Sequence, residues 1–248
     1  MSSFYDDYNY PAYWETRIFE DLSERLALSR FLQQIEKRNS LVDVGGGFGR
    51  LSPVYSPVFK KCLVIDPSKN LLEIGKTKFK DFSNLSFTKG ELPKLPIKDK
   101  EFEVALMVRV IHHLSDPLPA FKEVYRILQQ RGFLILEMAN KIHFLARLKA
   151  CFSGNFSFSR NLESIERRSS VSIREGKITF VNHHPQKIIG DLESVGFTIV
   201  KTLSVSNFRN PLIKKIIPQN ILLFFENKAQ ELLAPFFFGP SIFILAKK

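Results

Sequence analysis

From residue 40 onward the chain alternates two hydrophobic periods. Short, almost wholly apolar runs, "SLVDVG", "CLVID", "NLSFTKG", "FEVALMV" and "FLILEMA", read as strands buried on both faces. Between them lie longer amphipathic stretches that read as helices: "SKNLLEIGKTKF", capped by Ser68, and "DPLPAFKEVYRILQQRG", with Asp116 as cap, Pro117 at the first position and Gly132 just past the end. Upstream, residues 14–38 place Ile18, Leu22, Leu26, Leu28 and Leu32 near helical spacing and end in basic residues suited to a helix C-terminus. Strands separated by helices predict an α/β fold, a doubly wound, Rossmann-like, mostly parallel sheet covered on both sides. Beyond Gly196, "FTIVKTLSVSNF" and the terminal "SIFILAKK" read as an antiparallel final strand pair, with an apolar helical insertion between them.

Ligands of such sheets bind at the carboxyl ends of the strands. There, after the first strand, "VDVGGGFGR" sets Gly45, Gly46, Gly47 and Gly49 within five residues, more glycine than one turn requires. Gly45 and Gly47 are expected to turn the chain sharply and to let a ligand touch bare backbone. The spacing does not fit a dinucleotide fingerprint, whose sixth position would be glycine and is Arg50 here, and no Gly-Lys-Ser or Gly-Lys-Thr follows as in a phosphate loop. Asp66 ends the second strand, 23 residues after Asp43, where a carboxylate can accept hydrogen bonds from two ribose hydroxyls; the plainer role is a cap before Ser68.

"VDVGGGFGR", "LVIDPSKNLLEIGK", "KGELPKLPIKDKEFEVAL", "VIHHLSDPLPAFKEVYRILQQRGFLILE" and "LESVGF" follow in an order that resembles the class I S-adenosylmethionine-dependent methyltransferases, in their small-molecule, type 11-like branch. The resemblance covers residues 12–140 well and 184–205 more weakly. It implies S-adenosyl-L-methionine as cofactor, with Asp43 near the methionine ammonium, the glycine loop along the methionine, and Asp66 with Pro67 at the ribose. Glu91 stands where the family usually has Asp beside the adenine amino group, and the N–H of Leu92 would meet the ring. Arg109 replaces a small residue, which suggests contact with the cofactor carboxylate or an anionic substrate; Arg50 is a weaker candidate for that carboxylate. His112 and His113, in "VRVIHHL", are candidate bases, although the plain alternative has one packing and the other lining the pocket mouth.

By this reading, residues 1–248 form one methyltransferase domain. It comprises a cofactor-binding core at 12–139, a substrate cap inserted at 140–183, and a C-terminal part of the sheet at 184–248. The tyrosines and Trp14 of the first 14 residues would either complete a lid or pack on the sheet. No grouping of ligands suggests a metal. Two distant cysteines fit a reducing compartment, and the N-terminus lacks a secretory pattern, so a cytoplasmic enzyme is expected.

The net charge of +11 admits three readings. One is a methyltransferase acting on a small-molecule or lipid-like acceptor, with its basic, Phe-rich C-terminal part either packed on the domain or in peripheral contact with a membrane. A nucleic-acid methyltransferase explains the charge but lacks the Asn/Asp-Pro-Pro-aromatic motif and a cysteine following proline. The third is a protein that binds S-adenosylmethionine without catalysis. The acceptor atom and the oligomeric state are not encoded in any pattern of the chain.

Overall fold

The computed structural model describes residues 10–174 and 179–248. In chain order the elements are α1 (Tyr10–Glu15), α2 (Ile18–Leu32), β1 (Ser40–Val44), α3 (Ser52–Tyr55), β2 (Lys61–Asp66), α4 (Lys69–Lys78), β3 (Leu85–Lys89), β4 (Phe102–Met107), α5 (Leu118–Ile127) and β5 (Leu128–Ala139). They continue as α6 (Phe144–Phe152), β6 (Ile165–Glu166), α7 (Ser170–Arg174), β7 (Val181–Asn182), α8 (Pro185–Val195), β8 (Thr198–Val205), α9 (Pro211–Ile216), α10 (Gln219–Leu232) and β9 (Ser241–Lys247).

Seven strands form one sheet in the order β3-β2-β1-β4-β5-β9-β8. The pairings among β1 to β5 are parallel, and β9 runs antiparallel between β5 and β8. This is the doubly wound sheet with an antiparallel final strand that the hydrophobic pattern predicts. One core cluster, with Val42, Val44, Met107, Phe121, Leu136 and Ile244, lies between the sheet and helices α5 and α8. The other face packs Leu41, Val104, Leu106, Ile135 and Phe243 against Ala27, Leu28 and Phe31 of α2 and Tyr55 of α3. Every side chain of β1 and β4 is therefore buried, which is why these strands read as continuous apolar runs.

Three local expectations are corrected. The helix expected over 14–38 is two helices, broken at Thr16 and Arg17 and ended at Leu32. Its buried face is Phe19, Glu20, Ser23, Glu24, Ala27, Leu28, Phe31 and Leu32, whereas Ile18 is 53% exposed. Acidic residues sit on the inner face because arginines meet them there, as described below. The third concerns α5, which stops at Ile127; β5 begins at once, so Gly132 lies inside a strand rather than past a helix end. A Cβ at Gly132 would stand 2.9 Å from the carbonyl oxygens of Glu103 and Gln129, so close strand packing, not capping, requires glycine there. Asp116 Oδ1 does accept the Leu118 N–H at 3.1 Å, but it stands two positions before the helix, with Pro117 at the cap position. Ser68 caps α4 as expected, accepting the Leu71 N–H at 3.2 Å.

Residues 140–183 fold into α6, α7 and a small β6–β7 ladder. The insertion is tied back at its root: Asn140 bridges His183, His183 N–H donates to Ala139 O, and Lys141 N–H donates to His183 O. The segment between β8 and β9 forms α9 and α10. It packs on α2 and β8 through Leu222, Glu226, Ala229 and Gln230, while Ile221, Phe224, Phe225 and Leu232 face outward. Among the described residues no helix is long and apolar enough to cross a membrane.

Candidate functional site

The loop after β1 and the ends of β2 and β3 lie side by side. Gly45 N–H donates to Ile65 O at 2.7 Å, so the chain leaves β1 still paired with β2. Gly45, Gly47 and Gly49 all have positive φ, at +69°, +57° and +76°. The expected reason for glycine needs adjustment at two positions. A Cβ at Gly45 would lie 2.5 Å from Val110 Cγ2, and one at Gly46 would lie 2.6 Å from the Asp43 carboxyl carbon, so both are required by neighbouring protein. At Gly47, which is buried, a Cβ would meet Leu71 and Tyr10 in ordinary contact at 3.4 Å or more, so its positive φ rather than a close neighbour is what favours glycine.

Asp66, at the carboxyl end of β2, is buried and accepts two backbone hydrogen bonds: Gly47 N–H to Oδ2 at 2.9 Å and Ser68 N–H to Oδ1 at 2.8 Å. It thus combines the expected strand-end position with the plainer turn-closing role. Pro67 follows it before the Ser68 cap. Asp66 pairs in register with Lys89 of β3, and Glu91 lies exposed two residues beyond, next to Leu92. At about 4.8 Å between neighbouring strands, the row from the glycine loop through Asp66 to Glu91 spans about 10 Å across three strand ends.

Asp43 is turned beneath the loop, toward α3. It is 3% exposed and accepts the Tyr55 hydroxyl at Oδ2, 3.0 Å away. Burial pushes its carboxyl up to about 7, against the hydrogen bond from Tyr55 and the charge of Arg50, which pull it down.

Arg50 and Arg109 converge on one acid that periodicity placed on the solvent side. Glu24, fully buried on α2, pairs with Arg50 through one oxygen and with Arg109 through the other, the Arg109 Nε contact being 2.8 Å. Asp21 also pairs with Arg50. The Arg50 guanidinium lies 3.6 Å from the centre of the Trp14 ring. Trp14 itself packs with Tyr10 and Tyr13, and Tyr10 with Phe48 of the glycine loop. So the aromatic α1 rests on the loop; Tyr5 and Tyr8 lie outside the described residues. Arg109 has φ +63°, a conformation that costs a non-glycine residue about 1 to 2 kcal/mol. Its N–H donates to buried Glu137 at 2.9 Å, which holds that turn. Glu24 and Glu137 were not singled out from sequence; the readable signal was the pair Glu20 and Glu24, one helical turn apart.

His112 is buried and His113 half-buried after β4, their rings 4.0 Å apart. Burial, then the neighbouring His113, Arg109 and His183, hold His112 well below the usual imidazole range. Burial also lowers His113, opposed by its hydrogen bond to Thr179. Because a carbonyl only accepts, His113 Nδ1 carries the proton donated to Thr179 O at 2.8 Å, leaving the lone pair on Nε2. Phe180 covers His112 at 4.7 Å between ring centres. The insertion therefore lies against the end of β4. His183, at its root, donates from Nε2 to Ile111 O at 3.0 Å and has Ser164 Oγ 2.9 Å from Nδ1. Among the described residues no group of histidine, cysteine and carboxylate side chains could hold a metal.

A sheet ordered 3-2-1-4-5 with an antiparallel strand inserted at the edge, and a glycine loop facing an acidic β2 end, is the architecture found among solved methyltransferases. An S-adenosylmethionine-dependent methyltransferase structure from Thermotoga maritima superimposes with a TM-score of 0.64, at 22% identity, over 98% of both chains. Residues 42–136 match the family described as "Methyltransferase domain". This segment belongs to the class I methyltransferases, type 11 branch. An uncharacterized methyltransferase, YcgJ of Bacillus subtilis, is 28% identical over 130 residues, 52% of this chain and 51% of that one. A malonyl-[acyl-carrier protein] O-methyltransferase of Marinomonas is 20% identical over 239 residues, 91% of this chain and 86% of that protein. The chain thus spans about half the length of the Bacillus relative.

Proposed function

We propose that the protein transfers the methyl group of S-adenosylmethionine to a small-molecule or lipid-like acceptor. The observation that carries this reading is the row of the glycine loop, Asp66 and Glu91 across the adjacent ends of β1, β2 and β3. Laid along it, the methionine part of the cofactor would lie on Gly47 and its neighbours Gly45, Gly46 and Gly49. The ribose hydroxyls would reach Asp66 beside Pro67, and the adenine would reach Glu91 and the Leu92 N–H. The fit is supported by the three positive-φ glycines of the loop and by an acidic β2 end already placed to accept hydrogen bonds. Buried Asp43 supplies negative charge beneath the site of the methionine ammonium, which would favour its ionised form.

When bound, the sulfonium supplies an activated methyl group, so the protein's task is orientation and exclusion of water. The insertion at 140–183 suits that task, since Phe180 and Thr179 lie on the histidines that end β4. His113, the less buried of the two, is then the better placed histidine to take a proton from an acceptor, while buried His112 packs. Arg109, held by Glu24, orients the β4 turn toward the cofactor carboxylate. The Marinomonas relative, by its name, modifies an acyl group carried on a protein, which supports an acceptor of small-molecule or lipid-like chemistry. Incubation with methyl-labelled cofactor and a fractionated cell extract tests the proposal. A labelled low-molecular-weight product is expected; label appearing only in nucleic acid would replace the acceptor class.

A further inference from the structure

Inside the insertion, away from the strand ends, α6 and the segments around β6 and β7 enclose a cavity of about 240 Å³. Its polar lining includes Lys141, His143, Lys149, Asn155, Arg167 and Asn182 beside Ser153, with Phe158, Ile165 and two alanines of α6 forming the apolar wall. No aspartate or glutamate lines it among the described residues. Lys141 is the unusual member. It is 4% exposed, yet among the described residues no carboxylate comes within ion-pair distance of its ammonium. Two of its three N–H groups go to the carbonyl oxygens of Asn161 and Glu163, at 2.6 and 2.8 Å. A buried ammonium held by neutral acceptors alone costs free energy that a bound anion would offset. Burial pulls Lys141 below the usual lysine range, opposed by the charge of the Glu163 carboxylate, which lies beyond ion-pair distance.

The electrostatic surroundings agree. His143 is held down to about 4, first by burial and then by the charges of Arg209, Arg167 and Arg147. Arg147 lies on α6 and Arg209 follows β8, so cations approach the cavity mouth from three elements. The side chains of Arg147, Arg167 and Arg209 make no ion pair among the described residues, although acidic neighbours neutralise Arg50, Arg109, Arg126 and Arg168 elsewhere. Glu20, the acid nearest Arg209, is engaged with Lys214.

We propose that this cavity binds an anionic group, a carboxylate or a phosphate, at the end of the methyl acceptor, with Lys141 at its base and Lys149 and Arg167 at its rim. Assigning the anion to the acceptor rests on the methyltransferase reading; the anion site itself does not. Asn155 and Asn182 supply neutral donors, and Phe158 with the alanines accommodates the start of an apolar chain.

The test uses the full chain and three matched probes, hexanoate, hexyl phosphate and hexanol, titrated by calorimetry. Hexanoate or hexyl phosphate is expected to bind saturably and hexanol not, and the better of the two identifies the anion class. The exposed positions allow Lys149→Glu and Arg167→Glu without disturbing the core, and the double variant should weaken the anionic probe at least tenfold. Binding of S-adenosylhomocysteine, measured in the same samples, should change less than twofold. Equal binding of hexanol, or unchanged anion affinity in the double variant, overturns the anion site. Failure of S-adenosylhomocysteine to bind any sample would instead remove the methyltransferase reading while leaving the probe result to stand.

Discussion

Tyr55 donates its hydroxyl to Asp43 Oδ2 at 3.0 Å, beneath the glycine loop and out of contact with water. The pair gives the fold a measurable pH signature. Burial raises Asp43 from 3.8 to about 7, so between those values the folded chain holds a proton that the unfolded chain releases. Stability is then greatest at the acid end of this window and falls as pH rises toward 7. Glu226, also raised to about 7 by burial, acts in the same direction. In Asp43→Asn, which keeps an acceptor for Tyr55, denaturant melts should lose on the order of 2 to 4 kcal/mol of the wild-type decline between pH 4 and 8. Parallel stability curves for the two proteins would show that Asp43 is ionised throughout.

Glu24 carries the ion pairs of both Arg50 and Arg109 in a buried setting. Glu24→Gln should destabilise the fold by about 3 to 5 kcal/mol, because two guanidiniums lose their shared carboxylate. Urea unfolding checks this, and a change below 1 kcal/mol would mean that water or Asp21 serves the arginines equally well.

Asp66 accepts from the glycine loop and, in the proposed complex, from the ribose. Its replacement by alanine should weaken S-adenosylmethionine binding by about 1.5 to 3 kcal/mol, as two hydroxyls lose a charged acceptor. Unchanged calorimetric affinity would move the ribose elsewhere.

His183 fastens the insertion to the end of β4 through Ile111 O and Ser164. His183→Ala removes the imidazole's hydrogen bonds to Ile111 O, which keeps the Leu114 N–H, and to Ser164, at a cost of about 0.5 to 1.5 kcal/mol per bond. Amide exchange should accelerate across residues 144–174 while β1 to β3 remain protected. Acceleration spread evenly over the sheet would indicate a role in the core instead.

The strands were legible because β1, β4 and the Leu134–Met138 part of β5 are buried on both faces and carry few polar residues to obscure them. The glycine loop and Asp66 were legible because their spacing reflects a fixed distance between two strand ends. Helix α2 was misread for the opposite reason. Its inner face holds Glu20, Ser23 and Glu24, which on hydropathy alone belong to solvent; Lys214, which pairs with Glu20, is 194 residues away, and the arginines that pair with Glu24 are 26 and 85 residues away. Gly132 misled because a glycine after a helical pattern looks like a cap, whereas its constraint comes from the Glu103 carbonyl on the next strand. The cationic cavity depends on pairings between segments with no shared periodicity, so no local pattern announces it.

If the row of strand ends from Gly47 to Glu91 holds S-adenosylmethionine, matched ligands should register in the thermal unfolding of the full chain. S-adenosylmethionine and S-adenosylhomocysteine should each raise the melting temperature in a concentration-dependent manner, by about 2.7 kcal/mol of added stability at one hundred times Kd, while NAD leaves it unchanged. Stabilisation by NAD, with no response to either sulfur ligand, would contradict the account.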